Sequence, residues 1–124
     1  MDNIEMRMKN IFSIRKALLD TFGKNIHAAI VYGSTLNADF CKTSDYDILL
    51  IFKIMSMDTL KKIHDIKDEF ANRGICIDFN SHLISDLPSE RGELYWHNNR
   101  NVFIQQELAL TGYSIIGSNP FAGY

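Results

Sequence analysis

Apolar and polar positions alternate with two different periods along this 124-residue chain. Between residues 3 and about 22 the apolar residues recur at steps of three and four, which predicts an amphipathic helix that ends at Gly23. A continuous apolar run over 26–32 predicts a buried strand, and a second strand is predicted over about 46–53. The predicted core positions of the helix are Ile4, Met8, Ile11, Ile14, Leu18, Leu19 and Phe22.

The second half of the chain repeats this alternation of helix and strand. Ser56 is a favourable N-cap, and the helical spacing behind it predicts a helix over roughly 57–73. A third strand is predicted over 75–80, a further helix between 90 and 110, and a short last strand over 113–116. The predicted core positions of the 57–73 helix are Met57, Leu60, Ile63, Ile66, Phe70 and Ala71. This order predicts an α+β domain, a small mixed β-sheet with helices packed mainly on one face.

Candidate chemistry lies at the ends of the first two strands. Gly33 and Ser34 follow the first strand; a glycine lets the backbone approach a ligand, and free N–H groups at a helix start favour phosphate. Asp45 and Asp47 open the second strand, where they project from the same side about 7 Å apart and can both reach a hard divalent cation. Taken alone, Gly-Ser after a strand is more often a plain turn, and Asp-x-Asp is often a solvated strand end or a turn. Together they indicate metal-dependent phosphoryl or nucleotidyl chemistry.

The order Gly-Ser, ten residues, then Asp-hydrophobic-Asp-hydrophobic resembles the signature of the DNA polymerase beta-like nucleotidyltransferase superfamily, and within it the minimal, antitoxin-type branch. That family uses a third carboxylate on a later strand, and Asp78 is the candidate here, since an unpaired buried charge in a plain strand would be costly. The resemblance covers roughly residues 26–80 and, more loosely, the C-terminal helix and strand. The chain departs from it after Gly-Ser, because residues 35–40 carry no arginine or lysine and Lys42 is the nearest basic residue.

The resemblance implies an enzyme with a two-metal site that holds Mg²⁺ and uses a nucleoside triphosphate, with ATP favoured. Asp45 and Asp47 would bind both cations, and Asp78 would complete the second site and accept the proton of the acceptor hydroxyl. Gly33 and Ser34 would hold the β- and γ-phosphates. The acceptor would attack the α-phosphate, and pyrophosphate would leave.

Three interpretations of the acceptor remain open. The favoured one is an antitoxin that adds AMP to a hydroxyl of a helical HEPN-type toxin protein, as the resemblance to standalone minimal domains implies. The second is a small-molecule acceptor, although the aminoglycoside nucleotidyltransferases that resemble this core carry a further helical domain. The third is a catalytically inactive, partner-binding domain, which the missing arginine suggests and which the presence of all three carboxylates opposes.

Composition narrows the class of protein further. The net charge of −2 and pI near 6.0 provide no basic field for gripping a long nucleic acid. Cys41 and Cys76 lack a Cys-x-x-Cys spacing; Cys76 is predicted to be buried, a disulfide between the two stays open, and two thiols fit a reducing compartment. No membrane-length apolar run and no signal-peptide pattern occur. We therefore expect a single minimal nucleotidyltransferase domain over residues 1–124, in the cytoplasm.

Three further side chains have unassigned roles. His82 is predicted to lie in a surface loop, although it is only four residues from Asp78. Trp96 and His97 could stack a base, but packing on the sheet or at a dimer contact is the more common use of such aromatic clusters.

Overall fold

The chain is seen here in a computed structural model that describes residues 3–36, 45–86 and 112–117. The helices and strands are α1 Asn3–Phe22, β1 Ile26–Tyr32, β2 Tyr46–Phe52, α2 Met57–Asn72, β3 Ile77–Leu83 and β4 Tyr113–Ile116. Short 3₁₀ turns follow α1, β1 and β3. These bounds confirm the sequence predictions for α1, β1, β2, α2 and β4 to within one residue at each end. The helix predicted between residues 90 and 110 lies outside the described residues.

The four strands form one mixed sheet in the order β3-β2-β1-β4. β1 runs antiparallel to both β2 and β4, whereas β2 and β3 are parallel and joined through α2. A parallel pair needs a crossover connection of a dozen or more residues, and the 16-residue α2 provides it. The predicted fold class, an α+β domain with a small mixed sheet, is confirmed.

One face of the sheet carries the core that α1 and α2 bury. The buried members of this core are Ile11, Ile14, Leu18, Ile26, Ala29, Val31, Tyr46, Ile48, Leu50, Phe52, Ile63, Ile66, Phe70 and Ile77. The helix positions among them recur at three- and four-residue steps, as expected for helices lying on a sheet. Four predicted core positions are wrong, because Ile4, Met57 and Leu60 are 61%, 81% and 46% exposed and Ala71 is exposed as well.

The start of α2 was predicted correctly. The structure of its C-terminal end explains why β3 begins later in the chain than predicted. The Ser56 hydroxyl accepts the Thr59 N–H and the Thr59 side chain accepts the Ser56 N–H, which completes a capping box. At the other end, the Ile75 N–H donates to the Phe70 carbonyl at 2.9 Å, past Gly74 in a left-handed conformation. Residue 75 therefore belongs to the helix cap, and β3 covers Ile77–Leu83 rather than the predicted 75–80.

Within the described part of the chain, neither helix combines the length and the apolar character that a membrane crossing requires.

Candidate functional site

Two of the three candidate carboxylates are direct neighbours in the sheet. Asp47 on β2 pairs in parallel register with Asp78 on β3, and adjacent strands lie about 4.8 Å apart. Both side chains belong to the face opposite the helices, because the flanking Tyr46 and Ile48 lie in the core that the helices cover. Asp78 is exposed and Asp47 is half-buried. The fold thus places two acidic side chains side by side, as an oxygen-ligand pair requires.

Strand β1, on the other side of β2, also contributes a neighbour to Asp47. Tyr32, the last residue of β1, pairs with Asp47 across the antiparallel ladder. The 3₁₀ turn Gly33–Leu36 begins directly after it. The Gly-Ser turn and the Asp47–Asp78 pair therefore lie at the same end of the sheet.

Gly33 lies close to the Asp47 carboxylate. It adopts φ +63°, a left-handed conformation that a side chain makes unfavourable. A Cβ at this position would lie 2.7 Å from Asp47 Oδ2 and 3.4 Å from its carboxyl carbon. No residue other than glycine fits without displacing the carboxylate, so Gly33 and Asp47 form one structural unit.

Thr35 ties the same turn to the backbone of Asp47. Its side chain is fully buried, and its hydroxyl oxygen accepts the Asp47 N–H at 2.7 Å. Its carbonyl oxygen accepts a hydrogen bond of 2.9 Å from Arg7 Nη1 on α1. Arg7 is not among the predicted core positions of the first helix, and no role was predicted for Thr35. The sequence carries no local signal for this contact, because Arg7 and Thr35 are 28 positions apart.

Asp45 directly precedes β2 and is exposed. The Tyr46 N–H donates to the Cys76 carbonyl at 2.9 Å, so the β2–β3 ladder begins right beside it. No three His, Cys, Asp or Glu side chains among residues 3–36, 45–86 and 112–117 gather into a group that could hold a metal ion. The described site is therefore a carboxylate pair with Asp45 two residues away along the chain.

The residues present fit a hard divalent cation. Neighbouring carboxylates supply the oxygen ligands that Mg²⁺ prefers, and the cation keeps several waters or phosphate oxygens as its remaining ligands. The absence of a side chain at Gly33 allows the Asp47 carboxylate to lie where a Cβ would collide with it. Ser34 lies in the adjoining turn.

Two expectations about nearby side chains were wrong. His82 is not in a loop but on β3, in register with Ile51 and only 6% exposed. Cys76 is exposed rather than buried, because it precedes β3 and follows the exposed end of α2. Cys41, Lys42, Trp96 and His97 lie outside the described residues.

Comparison with known protein families gives one match. The sequence profile of the family described as "Polymerase beta, Nucleotidyltransferase" matches residues 13–107 of the chain. This range contains the Gly-Ser turn and all three candidate aspartates. No curated protein sequence matches the chain.

Solved structures with a similar fold include a mutant of the MntA–HpeT toxin–antitoxin, with a TM-score of 0.55 and 12% identity over 86% of this chain and 72% of that one. Another is the spectinomycin adenyltransferase AAD(9) from Enterococcus faecialis, solved with ATP and spectinomycin, with a TM-score of 0.59 and 15% identity. That alignment covers 92% of this chain and 57% of the adenyltransferase. At such identities these likenesses establish the fold.

Proposed function

Because the chain belongs to the polymerase beta nucleotidyltransferase family, we propose that it is a Mg²⁺-dependent enzyme that transfers AMP from ATP to an acceptor hydroxyl. The observation that carries the proposal is the register of Asp47 with Asp78, together with the close approach of Gly33 to Asp47. Two acidic side chains on adjacent strands repel each other unless a cation lies between them. Both the left-handed backbone of residue 33 and the neighbouring carboxylate require glycine there, which supports a site built around that carboxylate.

Each residue of the site has a defined part in this reaction. Asp45, Asp47 and Asp78 would hold the Mg²⁺ ions of a two-metal site, and Asp78 would accept the proton of the attacking hydroxyl. Gly33 and Ser34 offer backbone N–H groups at the start of a turn to the β- and γ-phosphates. When bound, the metal neutralises charge on the phosphates and on the attacking and leaving oxygens. The acceptor oxygen forms a bond to the α-phosphorus as the bond to the pyrophosphate oxygen breaks.

For the acceptor we propose a hydroxyl of a HEPN-type toxin protein, with this chain as its antitoxin. The support is the fold that the chain shares with the antitoxin-containing MntA–HpeT structure. In such a pair the nucleotidylated side chain would gain a negative phosphodiester, which changes the local electrostatics of the toxin.

A small-molecule acceptor is the second candidate. It is favoured by the fold shared with the spectinomycin adenyltransferase, which was solved with ATP and spectinomycin. Since this chain spans little more than half of that protein's length, a small acceptor would need further protein surface to complete its pocket.

The test is transfer of label from α-³²P-ATP in the presence of Mg²⁺ and a lysate of the source organism. The inactive variant is Asp47→Asn, which keeps the size of the side chain and removes its charge. The matched control is Asp65→Asn, which removes the same charge from the exposed side of α2. A labelled protein band that the parent and Asp65→Asn produce, and Asp47→Asn does not, supports a protein acceptor.

The other outcomes separate the alternatives. Label found only in small soluble products, with pyrophosphate released, supports the small-molecule acceptor and contradicts the toxin. If no label is transferred, yet the parent binds Mg²⁺ and ATP, the acceptor is absent from the lysate and the toxin must be supplied. Failure of both transfer and nucleotide binding identifies a non-catalytic, partner-binding domain.

A further inference from the structure

The Gly33–Leu36 turn lacks a basic residue in its own sequence, but the fold brings one to it from α1. Arg7 lies 28 positions before Thr35, and its Nη1 donates to the Thr35 carbonyl oxygen at 2.9 Å in a partly buried setting. A guanidinium is always charged and its hydrogen bonds to buried acceptors are among the stronger ones in proteins. Arg7 is therefore well suited to fix the position of the turn.

The contact continues from the turn to the carboxylate. Thr35 is 0% exposed, and its hydroxyl accepts the backbone N–H of Asp47 at 2.7 Å. Arg7, Thr35 and Asp47 thus form one chain of hydrogen bonds, which we call the Arg7 relay. It runs from α1, through the turn, to the residue that the proposed function uses as a metal ligand.

A second side chain of α1 supports the same region. Asn10, one helical turn after Arg7, donates from Nδ2 to the Tyr46 hydroxyl at 2.9 Å. Tyr46 is 3% exposed and directly precedes Asp47. Helix α1 therefore holds both segments that flank the carboxylate, the turn through Arg7 and the start of β2 through Asn10.

We infer that Arg7 is a positioning residue for the site: through Thr35 it holds the backbone of Asp47 and the phosphate-binding turn in the arrangement that the metal–nucleotide complex needs. The inference rests on the proposed function, because it takes Asp47 as a metal ligand. Hydrogen-bonded groups behind a metal ligand orient it, and their removal typically weakens metal binding about 10–100-fold.

The test compares Arg7→Met with Arg15→Met. Arg15 lies on the same helix and also donates to a backbone carbonyl, that of Ile115 at 2.8 Å, but it is exposed and serves β4 rather than the turn. Binding of Mn²⁺ in the presence of α,β-methylene-ATP is followed by electron paramagnetic resonance. We expect about 10–100-fold weaker binding for Arg7→Met, and parent-like binding for Arg15→Met. Arg7→Lys retains one donor and is expected to restore most of the affinity.

If Arg7→Met folds poorly, Thr35→Val alone keeps the test decisive, because it leaves Arg7 in place and is expected to weaken Mn²⁺ binding about 10–100-fold. Thr35→Val removes the hydroxyl that accepts the Asp47 N–H and keeps the volume of the side chain. If the relay acts as one unit, Arg7→Met combined with Thr35→Val weakens Mn²⁺ binding no more than the stronger single change does. Strictly additive effects would contradict the relay.

Amide hydrogen exchange of Asp47 in the ligand-free protein distinguishes a failure of the Arg7 relay from a failure of the proposed function. We expect faster exchange in Arg7→Met than in Arg15→Met, because the Thr35 acceptor is no longer held. If the parent binds no Mn²⁺–nucleotide, the proposed function fails and the exchange rate alone decides the relay. Equal exchange, or faster exchange with unchanged Mn²⁺ binding, would overturn Arg7 as a positioning residue.

Discussion

Gly33 lies so close to the Asp47 carboxylate, across the end of the sheet, that no space remains for a Cβ on residue 33. The Cβ would lie 2.7 Å from Asp47 Oδ2, closer than non-bonded carbon and oxygen atoms approach. The carboxylate in turn lies beside Asp78 on β3. The position of the candidate metal ligand therefore depends on the absence of a side chain fourteen positions earlier in the chain.

Replacing Gly33 with alanine tests this dependence. We expect Gly33→Ala to displace the Asp47 carboxylate and to lower nucleotidyl transfer about 100-fold, since a shift of about 1 Å at a catalytic group has that effect. The variant also forces alanine into a left-handed conformation, which costs about 1–2 kcal/mol of folding free energy. Activity is measured by pyrophosphate release and stability by urea denaturation.

The control is Gly23→Ala. Gly23 has φ +54°, but a Cβ there meets no atom within 4 Å. It should therefore lose a similar amount of stability and keep its activity. Equal activity losses in the two variants would show that backbone strain, rather than contact with Asp47, is responsible.

Much of the fold could be predicted because its signals are local. The continuous apolar run of β1 and the Ser56 cap of α2 depend on residues within a few positions of each other, and both were placed correctly. The pairing of Asp47 with Asp78 was not predicted, because the family resemblance implies only that both belong to the same site. Its in-register form depends on how β2 and β3 align across the 16-residue α2.

What sequence could not provide is the environment that distant segments create. Periodicity alone could not decide which side of α2 meets the sheet, so Leu60 was placed in the core that Thr59 and Ile63 occupy instead. The role of Arg7 could not be predicted, because its acceptor, the Thr35 carbonyl, lies 28 residues away. His82 was placed in a loop because the polar end of β3 resembles one in sequence.

The orientation of α2 is tested by comparing two apolar residues three positions apart. Ile63 is 8% exposed and belongs to the core, whereas Leu60 is 46% exposed. We expect Ile63→Ala to lower the free energy of unfolding by about 2–5 kcal/mol, through lost burial and a residual cavity. Leu60→Ala should change it by about 0.5 kcal/mol or less. The reverse order in urea denaturation would place the other side of the helix against the sheet.

The Ser56 capping box makes a separate, purely structural prediction. Ser56→Ala removes the acceptor for the Thr59 N–H at 3.2 Å, which should cost about 1 kcal/mol of stability. Ser13→Ala is the matched control, since the Ser13 hydroxyl bonds only to the Lys9 carbonyl within α1. That change should fall within about 0.5 kcal/mol. Nucleotidyl transfer at saturating ATP should be unchanged in both, because neither serine is near the Asp47–Asp78 pair.

Removing one charge of the Asp47–Asp78 pair should change the unfolding temperature in opposite directions with and without ligand. Like charges directly opposite each other on adjacent strands destabilise a sheet by about 0.2–1 kcal/mol. Asp78→Asn removes one of the two charges, so the ligand-free variant should unfold at a slightly higher temperature than the parent. With Mg²⁺ and ATP the order should reverse, because binding stabilises the folded protein only where the site still holds the complex.

Thermal denaturation with and without Mg²⁺–ATP measures both effects, and Asp65→Asn on the exposed side of α2 controls for a general change in net charge. The kcat of Asp78→Asn should fall about 100–10,000-fold, since a positioned base contributes that much. An Asp78→Asn protein that is less stable than the parent without ligand would show that the two carboxylates are not in repulsive contact. A variant still stabilised by Mg²⁺–ATP to the parental extent would remove Asp78 from the metal site and leave it, at most, the role of a base.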